Sequence, residues 1–515
     1  MNGLRVAALV ASVWIAACAG DAVNDVDASV GVDMASRDAS SNDAAAPEDG
    51  GVHDATVLED ATVGDDAAIL VDGGASFPIT RACPAFAGGS ANGECVFPQV
   101  SADGRFVAFS SDATDLLADP LVNPVGSRPL HRFFVRDTML GVTELVSFNS
   151  SEGPAGTPYS PVPPSMSADG RYVLFSLPAN EWDSVTYSSP NPTLMLLRDR
   201  MLSTTTVVSE RVDGNVYDGN KIVLSGDGHS VVFQTPYAVT EPGTGFADEQ
   251  IYLRDLTADG DAIEVVSIGP DGMPAVAGST IFGDVDISND GSKVLFTTNA
   301  TNFLTGATSA GVPAWMKHCF VRDRLAGTTT RVDVASVGST GDWADGECSW
   351  AAISGDGRFV VFSTNATNIL AGDTNGFDDL YVRDLMLGTT ERVTLSDADA
   401  EIVDSAPTST ATIIREIDIS DDGDWIIFLS FSHSLVAGDT ALEAGRQGFL
   451  RRRSTGHTGR FTMHPDGTEF GDSQAAFVPR ISGDGSLVVF TGSHAGIFPD
   501  SSGDYELFAV ETSTL

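Results

Sequence analysis

The chain of 515 residues lacks any apolar run long enough to cross a bilayer as a helix. Its apolar stretch near the N-terminus, Val6 to Ile15, is too short for that. Basic residues are few: 28 Lys and Arg stand against 71 Asp and Glu, a formal net charge of −43. A body this acidic argues against sequence-independent nucleic-acid binding and favours cationic partners, although such charge also serves solubility alone. The sequence has no Gly-x-Ser-x-Gly elbow, His-Glu-x-x-His pair or Walker loop, so no catalytic motif marks it as an enzyme.

The first 18 residues are predicted to be an export signal. An apolar stretch follows Arg5, and residues 15–18 (Ile-Ala-Ala-Cys) resemble the bacterial lipobox, whose Cys becomes the lipidated N-terminus. With Ala19 in the next position, the resemblance implies a lipoprotein of the outer membrane that is anchored at Cys18 by acyl chains alone. An ordinary secretory signal, cut at an Ala-x-Ala-like site, is the alternative.

Residues 19–76 are predicted to be a disordered tether. The stretch from residue 20 to residue 76 has no aromatic side chain and holds 14 acidic residues against one Arg. Such a composition buries too little apolar surface to offset the entropy of ordering. A flexible coil of this length spans roughly 40 Å, so the rest of the chain is expected to stay near the membrane.

Seven copies of one phrase dominate the remaining sequence: Ser-x-Asp-Gly, two further residues, two mostly apolar residues and a Phe. The copies lie 58–66 residues apart, and self-similarity of this kind indicates one structural unit per copy. The Asp residues are Asp103, Asp169, Asp227, Asp290, Asp356, Asp422 and Asp484, and the Phe residues are Phe109, Phe175, Phe233, Phe296, Phe362, Phe428 and Phe490.

The phrase has a mechanical explanation. A type I turn favours Ser at its first position, accepts Asp at its third and favours Gly at its fourth, where Gly adopts the left-handed conformation of a hairpin bulge. The following Phe is expected to pack between adjacent sheets. We therefore assign these turns and Phe residues to architecture and not to a ligand site.

Each unit is predicted to contain four short antiparallel strands. In the fifth unit they cover residues 350–354, 358–364, 380–384 and 389–395, which are rich in β-branched and aromatic residues. Four antiparallel strands per repeat, arranged radially, predict an all-β fold: a seven-bladed β-propeller with four-stranded blades over residues 77–515.

The two ends of the propeller are expected to share its last blade. The seventh unit stops after its third strand, at residues 506–511, and residues 79–81 resemble the fourth strand of unit four, at 329–331. The N-terminal segment is therefore predicted to complete the last blade, which leaves no open sheet edge.

These residues together resemble the TolB-like (WD-type) propeller repeat. Its pattern is a Ser-x-Asp-Gly turn, an apolar strand ending in Phe, a third strand with an Arg-Asp pair and a Thr-rich fourth strand. The resemblance implies the fold and not the function, because propellers carry many unrelated activities. TolB has an additional α/β domain where this chain has its tether, so no role in the Tol–Pal system is carried over. The Arg-Asp pairs are Arg136-Asp137, Arg198-Asp199, Arg254-Asp255, Arg322-Asp323 and Arg383-Asp384.

Strand parity divides the loops between two faces. The tight turns after the first and third strands of each unit share one face, which we call the turn face. The long, variable loops after the second and fourth strands form the other, the long-loop face. Binding residues concentrate on variable loops of a rigid scaffold, so the long-loop face and its central channel are the predicted site.

The best candidate metal site lies in unit five. Asp373, Asn375 and Asp379 occupy alternating positions and, with the Phe377 carbonyl, offer oxygen atoms of the kind that Ca²⁺ prefers. Calcium is therefore the candidate cofactor. Residues 500–504 of unit seven are a weaker echo of this loop. The alternative is a solvated loop built from Asx turns.

Four of the five cysteines are expected to form disulfides. Apart from Cys18 they are an even set in an exported protein, without a Cys-x-x-Cys motif, which favours disulfides over a metal. Cys95 and Cys348 each end a Gly-Glu-Cys phrase eight residues before a recurring Asp. Among the three possible pairings this favours Cys83–Cys95 and Cys319–Cys348.

Unit six carries a cluster of basic residues on an otherwise acidic chain. Its third strand contains Arg451, Arg452 and Arg453, and Arg446 precedes it. Such a cluster is suited to binding an anion or an acidic partner. The alternative is a solvated edge that neutralises neighbouring carboxylates.

The combined prediction is a monomeric, non-enzymatic lipoprotein of the cell envelope that binds a protein or peptide through its long-loop face. Its only membrane contact is the N-terminal lipid, and nucleic acid is not a partner. A hydrolase or lyase that acts on glycans with channel carboxylates is the alternative, and a purely structural role is a third.

Overall fold

The computed structural model describes the chain from Ile79 onward, with gaps in several loops. The described residues are 79–123, 128–158, 162–182, 193–210, 220–235, 249–257, 262–276, 283–303, 316–335, 343–402, 414–436, 446–470, 476–493, 497–498, 500 and 505–515. The predicted signal, Cys18 and the tether lie outside this range.

Seven four-stranded antiparallel sheets make up the fold, as the repeat predicts. Blade 1 contains β2 (Cys95–Val100), β3 (Phe106–Ser111), β4 (Arg132–Asp137) and β5 (Val142–Leu145). Blades 2 and 3 contain β6 (Ser165–Met166), β7 (Tyr172–Pro178), β8 (Thr193–Asp199), β9 (Thr204–Val207), β10 (Asn220–Leu224), β11 (Ser230–Thr235), β12 (Gln250–Asp255) and β13 (Ala262–Val265). Blades 4 and 5 contain β14 (Val285–Ile287), β15 (Lys293–Thr298), β16 (His318–Asp323), β17 (Thr328–Arg331), β18 (Cys348–Ile353), β19 (Phe359–Thr364), β20 (Asp379–Asp384) and β21 (Thr389–Arg392). Blades 6 and 7 contain β22 (Ile414–Ile419), β23 (Trp425–Ser430), β24 (Gln447–Arg452), β25 (His457–Arg460), β26 (Ala476–Ile481), β27 (Leu487–Ser493), β28 (Tyr505–Glu511) and β1 (Ile79–Arg81).

Helical structure in the described residues is confined to short 3-10 segments, at Ala179–Glu181, Thr301–Phe303 and Thr512–Thr514. None of the helices in this part of the chain has the length and apolarity needed to span a membrane.

Each Ser-x-Asp-Gly phrase forms the turn that the sequence predicts. In blade 1 the Gly104 N–H donates to the Ser101 carbonyl, and the Ser101 hydroxyl donates to the Asp103 carboxylate at 2.6 Å. The same Ser hydroxyl accepts the Phe106 N–H, so one side chain holds both sides of the turn. All seven turn glycines have a φ between 68° and 75°, the region that favours Gly.

The seven turns are also joined to one another in a closed circle. A backbone N–H of each turn donates to the second-position carbonyl of the next turn, at 2.8–2.9 Å, and the Asp484 N–H completes the circle on the Ala102 carbonyl. The side chains of Asn289 and Asp421 lie against the neighbouring turn glycines Gly226, Gly355 and Gly483, in space that a Cβ at each glycine would occupy. The circle therefore joins the seven blades on the turn face.

The N-terminal strand closes the ring, which confirms the prediction for the shared blade. β1 pairs antiparallel with β28, with Ile79 opposite Val510 and Arg81 opposite Phe508. Blade 7 thus has the strand order β1-β28-β27-β26 and lacks no strand.

The hydrophobic core is divided into seven clusters, and each lies between two neighbouring blades. The cluster between blades 7 and 1, for example, joins Phe109 and Val107 to Val489 and Leu507. The seven recurring Phe side chains are fully buried in these clusters, with none of their surface exposed. Burial of a Phe contributes about 1.5–3 kcal/mol, so these contacts hold the blades together and confirm the architectural role of the repeat.

Candidate functional site

The inner strands carry backbone strain near the long-loop face. β2, β10, β22 and β26 each contain a bulge, and at these bulges Phe97, Lys221, Glu416 and Val478 have φ values of 57°, 50°, 48° and 46°. Left-handed φ is costly for such residues, above all for a β-branched Val. Strain of this kind persists where the surrounding structure enforces it, and it clusters at functional sites.

Three of these four residues, Phe97, Glu416 and Val478, line one cavity of about 520 Å³ at the junction of blades 1, 6 and 7. We call it the junction pocket. It lies on the long-loop face, has the size of a small-ligand site and combines apolar walls with a few polar groups. Its lining residues are Glu94, Val96, Phe97, Asp112, Arg128, Pro129, His131, Pro158, Glu416, Phe477, Val478, Thr491 and Tyr505.

Aromatic contacts fix one wall of the junction pocket. The rings of Phe477 and Tyr505 meet edge to face with centroids 5.8 Å apart. The Arg446 guanidinium lies 4.3 Å from the centroid of Phe477, and its Nη1 is 3.5 Å from Glu416 Oε1. Glu416 also accepts the Val478 N–H, so one carboxylate links two strained residues.

Two polar atoms of the pocket have no hydrogen-bond partner among the described residues: the hydroxyl of Thr491, which is 3% exposed, and Nδ1 of His131. A buried polar group without a partner costs about 1–3 kcal/mol. These atoms are therefore available to a ligand.

Carboxylates in the channel join one inner strand to the next. Asp284 and Asp286, at the start of and within β14, accept the N–H groups of Ala351 and Ile353 in β18 at 2.8 and 2.9 Å. Asp418 in β22 makes the same contact with Ile481 in β26 at 3.0 Å. These side chains satisfy strand-edge donors that no other strand reaches, which gives them an architectural role.

Burial raises the pKa of each of these channel carboxyls. It raises the pKa of Asp286 to about 7, against the hydrogen bond from Ile353 and with a further contribution from the negative charge of Asp418. The pKa values of Asp284 and Asp418 are raised for the same reason, and Arg480 opposes the shift in both.

We expect Asp286→Asn to flatten the pH dependence of stability. Because the folded-state pKa of Asp286 is raised, the folded protein binds the proton more tightly, and stability from this group grows as the pH falls from about 7 toward about 4. Asn keeps an acceptor for the Ile353 N–H without the charge. The variant should therefore melt about 2–4 °C above the parent at pH 8, with the difference shrinking as the pH falls below about 7 and disappearing near pH 4. The control is Asp119→Asn, at an exposed loop position. The expectation would be contradicted if the melting temperatures of Asp286→Asn and the parent differed by the same amount at every pH.

An arginine occupies the predicted calcium site of unit five. Arg392 from β21 lies 3.7 Å from Asp373 Oδ2 and 3.8 Å from Asp379 Oδ2, and both carboxylates are almost fully buried. Asn375 donates to Asp379 at 3.3 Å. Burial raises the pKa of Asp379 to about 6. Since the guanidinium already supplies the positive charge, these contacts favour a structural loop, and calcium stays a prediction.

The echo of this loop in unit seven has the same arrangement. Arg81 from β1 lies 2.6 Å from Asp500 Oδ1 and 3.0 Å from Glu506 Oε2. Asp500 and Glu506 are eight and two residues before Phe508, as Asp373 and Asp379 are before the equivalent aromatic residue of blade 5. Residues 501–504 of the echo lie outside the described part. No group of three or more His, Cys, Asp or Glu side chains suited to a metal occurs within the described ranges.

Both predicted disulfides are present, Cys83–Cys95 and Cys319–Cys348. Cys95 and Cys348 start the inner strands of blades 1 and 5. Their partners differ: Cys319 lies in the third strand of blade 4, whereas Cys83 follows the closing strand of blade 7. Each disulfide still links one blade to the next.

The four arginines of unit six do not form one surface. Arg446 precedes β24 on the long-loop face, whereas Arg451, Arg452 and Arg453 lie at its other end, on the turn face. Arg451 donates to the Leu395 carbonyl at 3.0 Å, and Arg453 pairs with Glu391.

Arg452 lies 3.1 Å from Asp424. In this pair the Asp follows the turn Gly and the third strand supplies the Arg. In three other blades the residue after the turn Gly is the Arg and the third strand supplies the Asp, and these pairs are Arg105–Asp137, Arg171–Asp199 and Arg358–Asp384. The contacts favour neutralisation of neighbouring carboxylates, and anion binding stays a prediction.

Sequence reasoning placed the site on the long-loop face but missed the junction pocket. The pocket joins residues from blades 1, 6 and 7 that are far apart in the chain, so no local motif marks it. One available signal is positional: Phe97, Glu416 and Val478 each lie six residues before a recurring Asp.

Seven four-stranded antiparallel blades, the last of them completed by an N-terminal strand, define a seven-bladed β-propeller. No protein-family model matches the chain, and no curated protein sequence does.

Three solved structures are among those similar to the chain. The chain is similar to an oligogalacturonate lyase from Vibrio parahaemolyticus (11% identity, 85% of this chain and 98% of that chain covered, TM-score 0.47). It is also similar to the β-propeller domain of the trilobed protease from Pyrococcus furiosus, described as having an open velcro topology (10% identity, 81% of this chain and 95% of that chain covered, TM-score 0.44). A third similar structure is TolB from Acinetobacter baumannii (13% identity, 76% of this chain and 78% of that chain covered, TM-score 0.34). The TM-scores all lie below 0.5, and the fold is assigned from the strand order and pairing of the chain itself.

Proposed function

We propose that this chain is a non-enzymatic binding module of the bacterial cell envelope, anchored through a lipid on Cys18, that binds a protein or peptide through its long-loop face. The junction pocket carries the proposal, because it combines ligand-sized volume, three strained residues and buried polar atoms without partners in the described residues. The lipid anchor rests on the lipobox resemblance alone.

A selection from a random peptide display library, with the purified full chain as bait, tests this function. Selected peptides should lose at least about 10-fold in affinity, or 1.4 kcal/mol, on Phe477→Ala, which removes a pocket wall. The control Met139→Ala removes an exposed side chain on the turn face and should change nothing. A selection that yields no binder, or binders indifferent to Phe477→Ala, would refute the proposal.

A glycan-acting hydrolase or lyase is the second candidate, and the observation that favours it is the set of carboxylates on the inner strands, Asp284, Asp286 and Asp418, whose pKa values burial raises. A panel of polysaccharides, assayed with and without Ca²⁺, tests it. Turnover that disappears in Asp286→Asn would establish the enzyme and remove the binding proposal.

A further inference from the structure

We propose that the junction pocket binds a tyrosine side chain of a polypeptide partner. This rests on the proposed function and names the chemistry that the pocket selects. The lining combines the aromatic rings of Phe97, Phe477 and Tyr505 with the buried hydroxyl of Thr491. A ligand that fits it has an aromatic ring for the walls and one hydroxyl group for the unpartnered polar atoms.

The hydroxyl of Thr491 lacks the partner that the same position has in blade 5. There the equivalent hydroxyl, that of Ser363, accepts the Trp350 N–H at 3.1 Å. Thr491 and Ser363 each lie seven residues after the recurring Asp of their blade, and Val478 and Trp350 each lie six residues before it. In blade 7 the Val478 N–H donates to Glu416 instead. The strained bulge thus leaves an almost fully buried hydroxyl without a partner among the described residues.

A single ligand hydroxyl can provide the missing hydrogen bond. The Thr491 hydroxyl both donates and accepts, and so does the phenol group of a tyrosine. Nδ1 of His131, which also lines the pocket without a partner in the described part of the chain, can do either according to its tautomer. A sugar ring would bring several hydroxyl groups that each need a partner when buried, so a tyrosine matches the two available atoms better.

The walls of the pocket suit an aromatic ring. Phe477 and Tyr505 already meet edge to face, and Phe97 and Val478 line the pocket beside them. Aromatic rings favour such contacts with one another, and tyrosine joins a large apolar body to a polar tip. Tyr505 is 38% exposed, whereas Thr491 is almost fully buried. The ring would therefore contact the outer part of the pocket, and the hydroxyl would reach its interior.

The charged groups of the pocket favour an uncharged ligand. Arg446 lies 3.5 Å from Glu416, which also accepts the Val478 N–H. Asp112 accepts the Glu94 N–H at 2.8 Å. A cationic side chain would compete with partners that these carboxylates already have, and an anionic one would lie beside like charges. Tyrosine avoids both costs, because its hydroxyl is neutral at physiological pH.

A series of fluorescein-labelled hexapeptides with the sequence glycine-alanine-leucine-X-alanine-glycine tests the inference, with tyrosine, phenylalanine, leucine or lysine at X. Fluorescence anisotropy with the full chain should show the tyrosine peptide binding at least about 5-fold more tightly than the phenylalanine peptide, because only tyrosine offers a hydroxyl to Thr491. The phenylalanine peptide should in turn bind more tightly than the leucine and lysine peptides, because it keeps the ring.

Three variants locate the effect. Thr491→Val, which removes the hydroxyl and keeps the shape of the side chain, should abolish most of the tyrosine-over-phenylalanine preference. Thr491→Ser, which keeps a hydroxyl, should retain that preference. Thr297→Val makes the same change at the equivalent position of blade 4, directly after the recurring Phe296, and should leave the preference intact. The melting temperature of each variant is the check on folding.

Equal affinities for the tyrosine and phenylalanine peptides, equal effects of Thr491→Val and Thr297→Val, or no binding of any hexapeptide at about 1 mM would each overturn the inference. The proposed function is tested separately. If the display selection yields pocket-dependent peptides without tyrosine, peptide binding stands and only the tyrosine inference fails.

Discussion

Arg392→Met is expected to lower the free energy of unfolding by about 3–5 kcal/mol, because it leaves the buried carboxylates of Asp373 and Asp379 without their cation. Their side chains are 2% and 0% exposed, so water cannot replace the guanidinium. Met fills a similar volume, which separates the loss of charge from the loss of packing. Chemical denaturation followed by tryptophan fluorescence measures the change.

Arg200→Met is the matched control for this experiment. Arg200 pairs with Glu144, whose side chain is 48% exposed, so the same substitution should cost about 1 kcal/mol or less. If both variants lost the same free energy of unfolding, the buried ion pairs of Arg392 would contribute no more to stability than the exposed pair of Arg200.

The same variant distinguishes arginine from calcium at this loop. If Arg392 is the resident cation, CaCl₂ should leave the melting temperature of the parent unchanged and should raise that of Arg392→Met, where two carboxylates and Asn375 remain. A calcium-dependent rise in the parent would instead support the calcium prediction for Asp373, Asn375 and Asp379.

The second large effect is expected at the closing strand. Replacement of Ile79, Thr80 and Arg81 by Gly-Ser-Gly should lower the melting temperature by about 10 °C, since it removes a buried Ile and the cation between Asp500 and Glu506. It also exposes the edge of β28 to other chains. We therefore expect a loss of cooperativity in calorimetry and oligomers in size-exclusion chromatography.

The control places the same replacement at Thr328, Thr329 and Thr330 of β17, the outer strand of blade 4. That strand is joined to its blade by a hairpin turn, and its residues alternate between exposed and half-buried. A smaller shift and a monomeric profile are expected. If both replacements behave alike, closure by the N-terminal strand contributes no more than any outer strand.

The repeat made the fold predictable in detail. The first and third strands of unit five, predicted at 350–354 and 380–384, are observed at Cys348–Ile353 and Asp379–Asp384. The fourth strand, predicted to reach residue 395, ends at Arg392. Its last residue turns to the buried carboxylates of the preceding loop, and that requirement is invisible in strand propensity.

The site was less predictable, for a physical reason that differs between its parts. The cysteine pairing followed from two equivalent positions, so internal symmetry supplied the missing information. Asp373 and Asp379 have the spacing of a metal loop, and nothing in that spacing shows that the cation comes from Arg392 on the next strand. The junction pocket depends on bulges in β2, β22 and β26, whose meeting point is set by ring closure and not by local sequence.

The circle of hydrogen-bonded turns joins all seven blades on the turn face through backbone atoms. A link made of backbone atoms does not depend on the loops at the opposite end. The long loops can therefore differ in length and sequence without opening the ring, and the junction pocket lies among them.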